Sequence, residues 1–379
     1  MTAEKKRFYF IDQFRGWAVL FMIETHVLKA FLNTNLRSSV SYKALDFING
    51  LVAPAFLFIA GFAFAIVAVR KWDDYLRLGR PFWQQFRRYL FVGLVGYLLH
   101  LPGFSLPHLV ATLRWNERNV FWGVDVLQCI AFSLLLMLLL VPVLRRQKRF
   151  FIFLALAALA LALLTPLVYS LDLQALLPAA LVGYLKRVPG SQFPLFPWLA
   201  YVWLGAFFSW LWQEAKRNDW EKKYFRDVFI AGGLLLVIFF VVVLQPLVQV
   251  ELNSFSPSRP IFFFLKLTLI LLLLACSWHG EQKWGNRPVP VTMVGQESLL
   301  VYAAHLVIIY GTLWPSLSFL IGKTRSWFEV TAMALVLIGA MFVLALAWHA
   351  GKEKNPLLAR RGQWLFYLLV VAALLVFRT

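Results

Sequence analysis

Residues 45–69 read LDFINGLVAPAFLFIAGFAFAIVAV, and from Leu51 to Val69 the stretch contains no charged side chain. A helix of about 20 apolar residues matches the hydrocarbon thickness of a bilayer. A run that is apolar on every side also differs from the one-sided stripe of a soluble helix. The pattern recurs along the whole chain, with apolar runs separated by short basic patches. Spans are predicted near 9–32, 45–69, 86–104, 121–143, 150–168, 194–213, 228–249, 260–278, 290–313, 328–349 and 362–377. The fold class that follows is an all-α integral membrane protein, a polytopic bundle of about 10–11 transmembrane helices forming one membrane domain over 1–379.

Composition agrees. Of 379 residues, 61% are apolar and 15% charged, against about 45–50% and 25% in soluble domains. Gly 21 and Pro 17 exclude collagen-like and low-complexity chains, and two cysteines, both inside apolar runs, exclude a disulfide-stapled fold. The net charge of +19 would raise the question of nucleic acid in a soluble protein. Here no soluble domain exists to carry that role, and the basic residues fall in loops. Loops taken alternately hold 24 Lys and Arg on one side and 10 on the other, which places the N-terminus in the cytoplasm by the positive-inside rule. Lys5, Lys6 and Arg7 precede a first run that lacks a small-residue cleavage site, so that run is expected to stay attached as the first helix. Residues 171–193, broken by Pro178, Pro189 and Gly190, are expected to form an outer-side or re-entrant helix.

Function should lie in the polar residues kept inside lipid, because a charge at mid-bilayer costs about 2.5–3.5 kcal/mol on insertion scales and usually faces a cavity or a partner. At about 100° per residue, Asp12, Arg15, His26 and Lys29 share one broad face of the first helix, with Glu24 opposite. Asp12 and Arg15 read either as a local i,i+3 ion pair or, for Arg15, as an anion clamp. His26 reads either as a histidine satisfied by a neighbouring helix or as a base, since imidazole titrates near neutral pH. In the ninth span Ser298, Tyr302 and His305 fall at i, i+4 and i+7 on one face. In the fourth, Asp125 and Gln128 are i,i+3 neighbours, and Asp125 is either an imidazole-orienting carboxylate or one favoured at a helix N-terminus. His100, His108, His279 and His349 lie at span ends or in loops. The sequence contains no HExxH, paired CxxC, Walker A, GxGxxG or GxSxG pattern, so no metal site is assigned.

Ile11-Asp12-Gln13-Phe14-Arg15-Gly16, followed by Met22 and His26, resembles the opening of the heparan-α-glucosaminide N-acetyltransferase family, bacterial branch, within the transmembrane sugar acyltransferases. INGLVAPAFLFIAG at 48–61, GVDVLQCIAFS at 123–133, FPLFPWLAYVWLGAFF at 193–208 and GQESLLVYAAH at 295–305 match in order, so the resemblance covers about 8–310. It implies acetyl-CoA as the cytoplasmic acyl donor, a glycan or glycolipid acceptor on the extracytoplasmic face, and a location in the bacterial inner membrane. By this resemblance His26 or His305 is the base or the covalent acetyl carrier, Asp125 orients an imidazole, and Asn49 or Gln128 donates to the oxyanion. Arg15 and Lys29, with Ser298 and Tyr302, fall to the donor. The chain departs from the bacterial pattern at Thr25, where members carry an acidic residue, and at Asn49-Gly50, where they carry a histidine. Membrane lipid is the other expected partner, nucleic acid is not, and self-association is left open. A transporter or flippase for a polar lipid or glycan, and a non-catalytic envelope-assembly protein, are the rival classes.

Overall fold

The computed structural model describes residues 7–100, 122–239, 260–285, 287–311, 316–355 and 362. The described helices are α1 (Tyr9–Phe31), α2 (Val40–Asn49), α3 (Val52–Arg70), α4 (Trp72–Leu76), α5 (Arg80–Leu99), α6 (Val126–Leu144), α7 (Gln147–Ser170) and α8 (Ala179–Leu185). They continue with α9 (Leu195–Arg217), α10 (Glu221–Phe239), α11 (Pro260–Trp284), α12 (Pro290–Gln296), α13 (Ser298–Tyr310), α14 (Leu317–Ile321) and α15 (Trp327–Lys354). Among the described residues six helical runs, with α2 and α3 counted together, are long and apolar enough to cross a membrane, and the bent pair α12 and α13 makes a seventh if taken as one span. The chain is thus an all-α integral membrane protein, as its composition required.

The predicted spans and the helices coincide with three instructive differences. α1, α5 and α10 stand where spans were expected, yet each carries charges, such as Asp12, Arg15, Glu24 and Lys29 on α1, that lower its hydropathy. Residues 45–69 are divided between α2 and α3, which break at Gly50 and Leu51 although together they make one apolar run, Val40–Arg70. Residues 290–313 bend by 81° between α12 and α13. Within 171–193 lie a 3₁₀ turn at Leu173–Ala175 and the seven-residue α8, far below the length of a span. The span at 362–377 (past Gly362), residues 240–249 of the seventh span, and His108 lie outside the described residues.

The described residues form two compact units, one comprising 7–52, 98–100, 277–285, 287–311, 316–355 and 362 and the other 53–97, 122–239 and 260–276. In the first unit α1 is the axis, with α12, α13 and α15 packed on it. Its start is secured by the Glu281 carboxylate, which accepts the Phe10 amide, one of the donors that a helix N-terminus leaves without an intrahelical partner. α15 opens with a capping box, in which the Ser326 hydroxyl accepts from the Glu329 amide and Glu329 accepts from the Ser326 amide.

α1 and α12 meet backbone to backbone. A Cβ added at Gly16 would lie 2.1 Å from the Val291 carbonyl oxygen, and one at Gly295 would lie 1.9 Å from that of Asp12. Only hydrogen-sized side chains permit this approach, the same logic by which small residues let membrane helices close on one another. In the second unit α9 packs on α6, α7, α8 and α10. α3 and α9 repeat the reciprocal device, since a Cβ at Gly61 would lie 1.7 Å from the Val202 carbonyl oxygen and one at Gly205 would lie 2.0 Å from that of Phe58.

Candidate active site

With α12 held against α1, the 81° bend sends α13 along the upper part of α1 and brings two sequence-distant histidines together. The His26 and His305 ring centroids are 5.2 Å apart, with planes at 71°. His305 is fully buried, at 0% exposure. Its Nδ1 lies 2.8 Å from the Val301 carbonyl oxygen, a group that can only accept. The Nδ1 therefore carries the hydrogen, and in the neutral ring Nε2 bears the free lone pair. That Nε2 is buried and has no hydrogen-bond partner, as is His26 Nδ1. Buried polar atoms normally find partners, so two orphaned imidazole nitrogens in one aromatic-walled place make it the candidate site. Tyr302, itself buried, sets its ring 5.8 Å from His305 at 89°, and the ring of Tyr310 lies 5.8 Å from His26. The Tyr310 hydroxyl donates to the His26 carbonyl at 3.2 Å, tying α13 to α1 beside the pair.

The charged residues of α1 separate along its length. Asp12 takes the Arg7 Nε at 2.7 Å and the Gln296 amide at 3.4 Å, while Arg15 approaches it only to 3.9 Å. The expected i,i+3 pair exists, but Arg7 is the closer partner. Lys29 pairs with Asp46 of α2 at 3.8 Å, and both side chains are about half exposed. Arg15 and Lys29 are 14 residues apart on one helix, about 21 Å at 1.5 Å per residue, so the two cations cannot grip the same phosphate. Ser298 is the half-buried first residue of α13, after the bend.

Glu24, two residues before His26 and so about 200° round the helix, faces the other flank. There it meets the Asn49 amide of α2. Asn49 is 5% exposed, and its amide and Glu24 Oε2 are buried together. Asp125 and Gln128 lie in the second unit, where they form the capping box of α6. The Gln128 side-chain oxygen accepts the Asp125 amide at 3.2 Å, and the Asp125 carboxylate accepts the Gln128 amide. The geometry found for these two residues is that of the helix-start carboxylate.

Sequence reasoning missed a second cluster. Glu297, at the bend and only 6% exposed, has its carboxylate engaged by Lys352 and by His349 Nδ1, the latter at 3.2 Å, both on α15. Some fifty residues separate these partners, and a single sequence carries no signal across that gap. His349 and Lys352 do sit at i and i+3 near the end of an otherwise apolar helix, and that spacing is the one local hint.

Comparison with curated proteins returns no match. A comparison with protein families does, and the matching description is heparan-alpha-glucosaminide N-acetyltransferase, catalytic, over residues 7–246. The match takes in α1 with His26, α2 with Asn49 and the capped start of α6, and ends before α12, so His305 and Glu297 lie beyond it. It spans more than half of the chain, which therefore belongs to the heparan-α-glucosaminide N-acetyltransferase catalytic family of membrane acetyltransferases.

Proposed function

We propose that this protein transfers an acetyl group from acetyl-CoA, bound from the cytoplasmic side, to a hydroxyl or amine of a sugar on the extracytoplasmic side. The observation that carries the reading is the close pair of His26 and the fully buried His305, each with a buried, unpartnered ring nitrogen, where α1 is locked to α12, the helix that leads through the bend into α13. Family membership supplies the class of reaction, and the asymmetric distribution of Lys and Arg supplies the sidedness.

Acetyl-CoA, when bound, supplies an acyl carbon activated as a thioester and a thiol leaving group. His305 is the general base. Its Nδ1 hydrogen is committed to the Val301 carbonyl, so Nε2 is the atom that takes the proton from the acceptor O–H or N–H as that oxygen or nitrogen bonds to the acyl carbon. As the C–S bond breaks, the same proton passes from Nε2 to the departing sulfur, which restores the neutral ring. His26 faces the reacting carbon and either supports this direct transfer or carries the acetyl group between two half-reactions. Asn49 stands beside Glu24 on the other flank of α1 and is given no part in this transfer. Arg15, near the cytoplasmic end of α1, is assigned to donor phosphate, which suits its planar fork. Tyr302 packs beside His305, and Ser298 is assigned to the donor.

Purified protein in liposomes, given labelled acetyl-CoA and glucosamine, separates the readings. Label appearing on the amino sugar supports the transferase. Movement of unmodified glucosamine across the bilayer without acetylation would support a transporter instead.

A further inference from the structure

The bend between α12 and α13 decides where His305 stands, and the residue at that bend is a buried carboxylate. Glu297 has a backbone of φ −98°, ψ 22°, outside the regular helix on either side. At 6% exposure its charge would be costly alone. Lys352 and His349 of α15 supply the compensation, the Lys352 ammonium donating to Glu297 Oε1 and His349 Nδ1 lying 3.2 Å from the same oxygen. His349 Nε2 in turn lies 3.5 Å from Glu353. On the near side of the bend, Gln296 donates to Asp12 of α1 at 3.4 Å. Adjacent residues thus anchor the bend to two different helices, Gln296 to α1 and Glu297 to α15. From Glu297 the chain runs as uninterrupted helix through Tyr302 and His305, so any rotation at the bend is carried rigidly, over about 12 Å of helix, to the imidazole.

We propose that Glu297 and Lys352, assisted by His349, are positioning residues that pin the α12–α13 bend and thereby hold His305 against His26. The pinning is independent of chemistry, whereas its effect on turnover rests on the reading of His305 as base. None of the three residues needs to touch a reactant. A buried pair of this kind is weak evidence for stability but is well suited to specifying one geometry, and α15 thus acquires a role beyond crossing the membrane.

The test uses full-length protein carrying Cys276→Ser, with spin labels on cysteines placed at Phe21 of α1 and Ile308 of α13, both exposed. The distance between labels is read by electron paramagnetic resonance, and acetyl transfer is assayed alongside. In the parent one narrow distribution is expected. Lys352→Met and Glu297→Gln should each broaden or shift it, lower kcat by about 10²-fold, as displacements near 1 Å do, and leave the KM for acetyl-CoA within about twofold. Lys352→Arg, which keeps a cation, should restore both the narrow distribution and most of kcat. An unchanged distribution in Lys352→Met and Glu297→Gln overturns the pinning. A broadened distribution with unchanged kcat overturns the positioning of a reacting residue. If the parent itself transfers no acetyl group, the functional reading fails, and the distributions alone decide whether the ion pair holds the bend.

Discussion

Gly295→Ala is the smallest change that tests whether the α1 and α12 contact builds the site. The added Cβ would lie 1.9 Å from the Asp12 carbonyl oxygen and 2.9 Å from the Gly16 amide nitrogen. Both neighbours are backbone atoms, so no flexible side chain can yield. To reach ordinary contact at 3.4 Å, α12 must retreat from α1 by about 1.5 Å. Overpacking of this kind typically costs about 1–3 kcal/mol, and part of the displacement should pass through α13 to His305. A misplacement near 1 Å of a positioned group costs about 10²-fold in rate, so kcat should fall by about that factor while the protein still folds with a lowered Tm. The control is Gly339→Ala on α15, where an added Cβ meets nothing within 4 Å and the helix should gain about 0.5–1 kcal/mol from the propensity difference. Thermal unfolding in detergent and initial rates of acetyl transfer measure both effects. Should Gly295→Ala match Gly339→Ala in Tm and in kcat, the close helix contact does not position the histidines and the reasoning is wrong.

Other outcomes follow from single groups. Arg15→Ala should raise the KM for acetyl-CoA at least tenfold (on the order of 1.4 kcal/mol) and Arg15→Lys should recover it only in part, because a point charge lacks the planar fork; unchanged KM in both would leave Arg15 as a partner of Asp12 alone. Cysteines replacing Asp74 of α4 or Asn218 after α9, both exposed and in segments between spans that are rich in Lys and Arg, should resist an impermeant thiol reagent in intact cells, and labelling at either would reverse the orientation. Asp125→Asn should leave stability within about 0.5 kcal/mol, since Asn caps a helix as well as Asp does, and a fall in kcat beyond tenfold would instead give the carboxylate a part in the chemistry.

Helix positions were legible because lipid imposes a length and an apolarity that no other environment demands, as residues 51–69 show without any reference to neighbours. The meeting of His26 and His305 was legible in part. Each belongs to a polar stripe on a membrane helix, His26 with Asp12, Arg15 and Lys29 and His305 with Ser298 and Tyr302, and two such stripes in one bundle are expected to seek each other. The contact that makes them meet was not legible, because a glycine such as Gly16 or Gly295 looks the same whether it is pressed against a carbonyl or exposed to lipid. The bend at Glu297 was hidden for a related reason. Hydropathy averages over a window, so 290–313 reads as one span although the chain turns by 81° inside it. Arg7 was passed over as a basic flank of the first span, yet it is the closest cation to Asp12. Asp125 carried two readings of equal chemical merit, and only coordinates could reveal the reciprocal bonds with Gln128.

The central claim is that the paired histidines perform the transfer, and His26→Ala and His305→Ala test it most directly in purified protein supplied with labelled acetyl-CoA and glucosamine. Proton transfer by a positioned side chain contributes about 10²–10⁴-fold, so the variant lacking the base should lose that much of the transfer rate while still binding CoA. Wild-type rates of acetylation in both single variants would contradict the account.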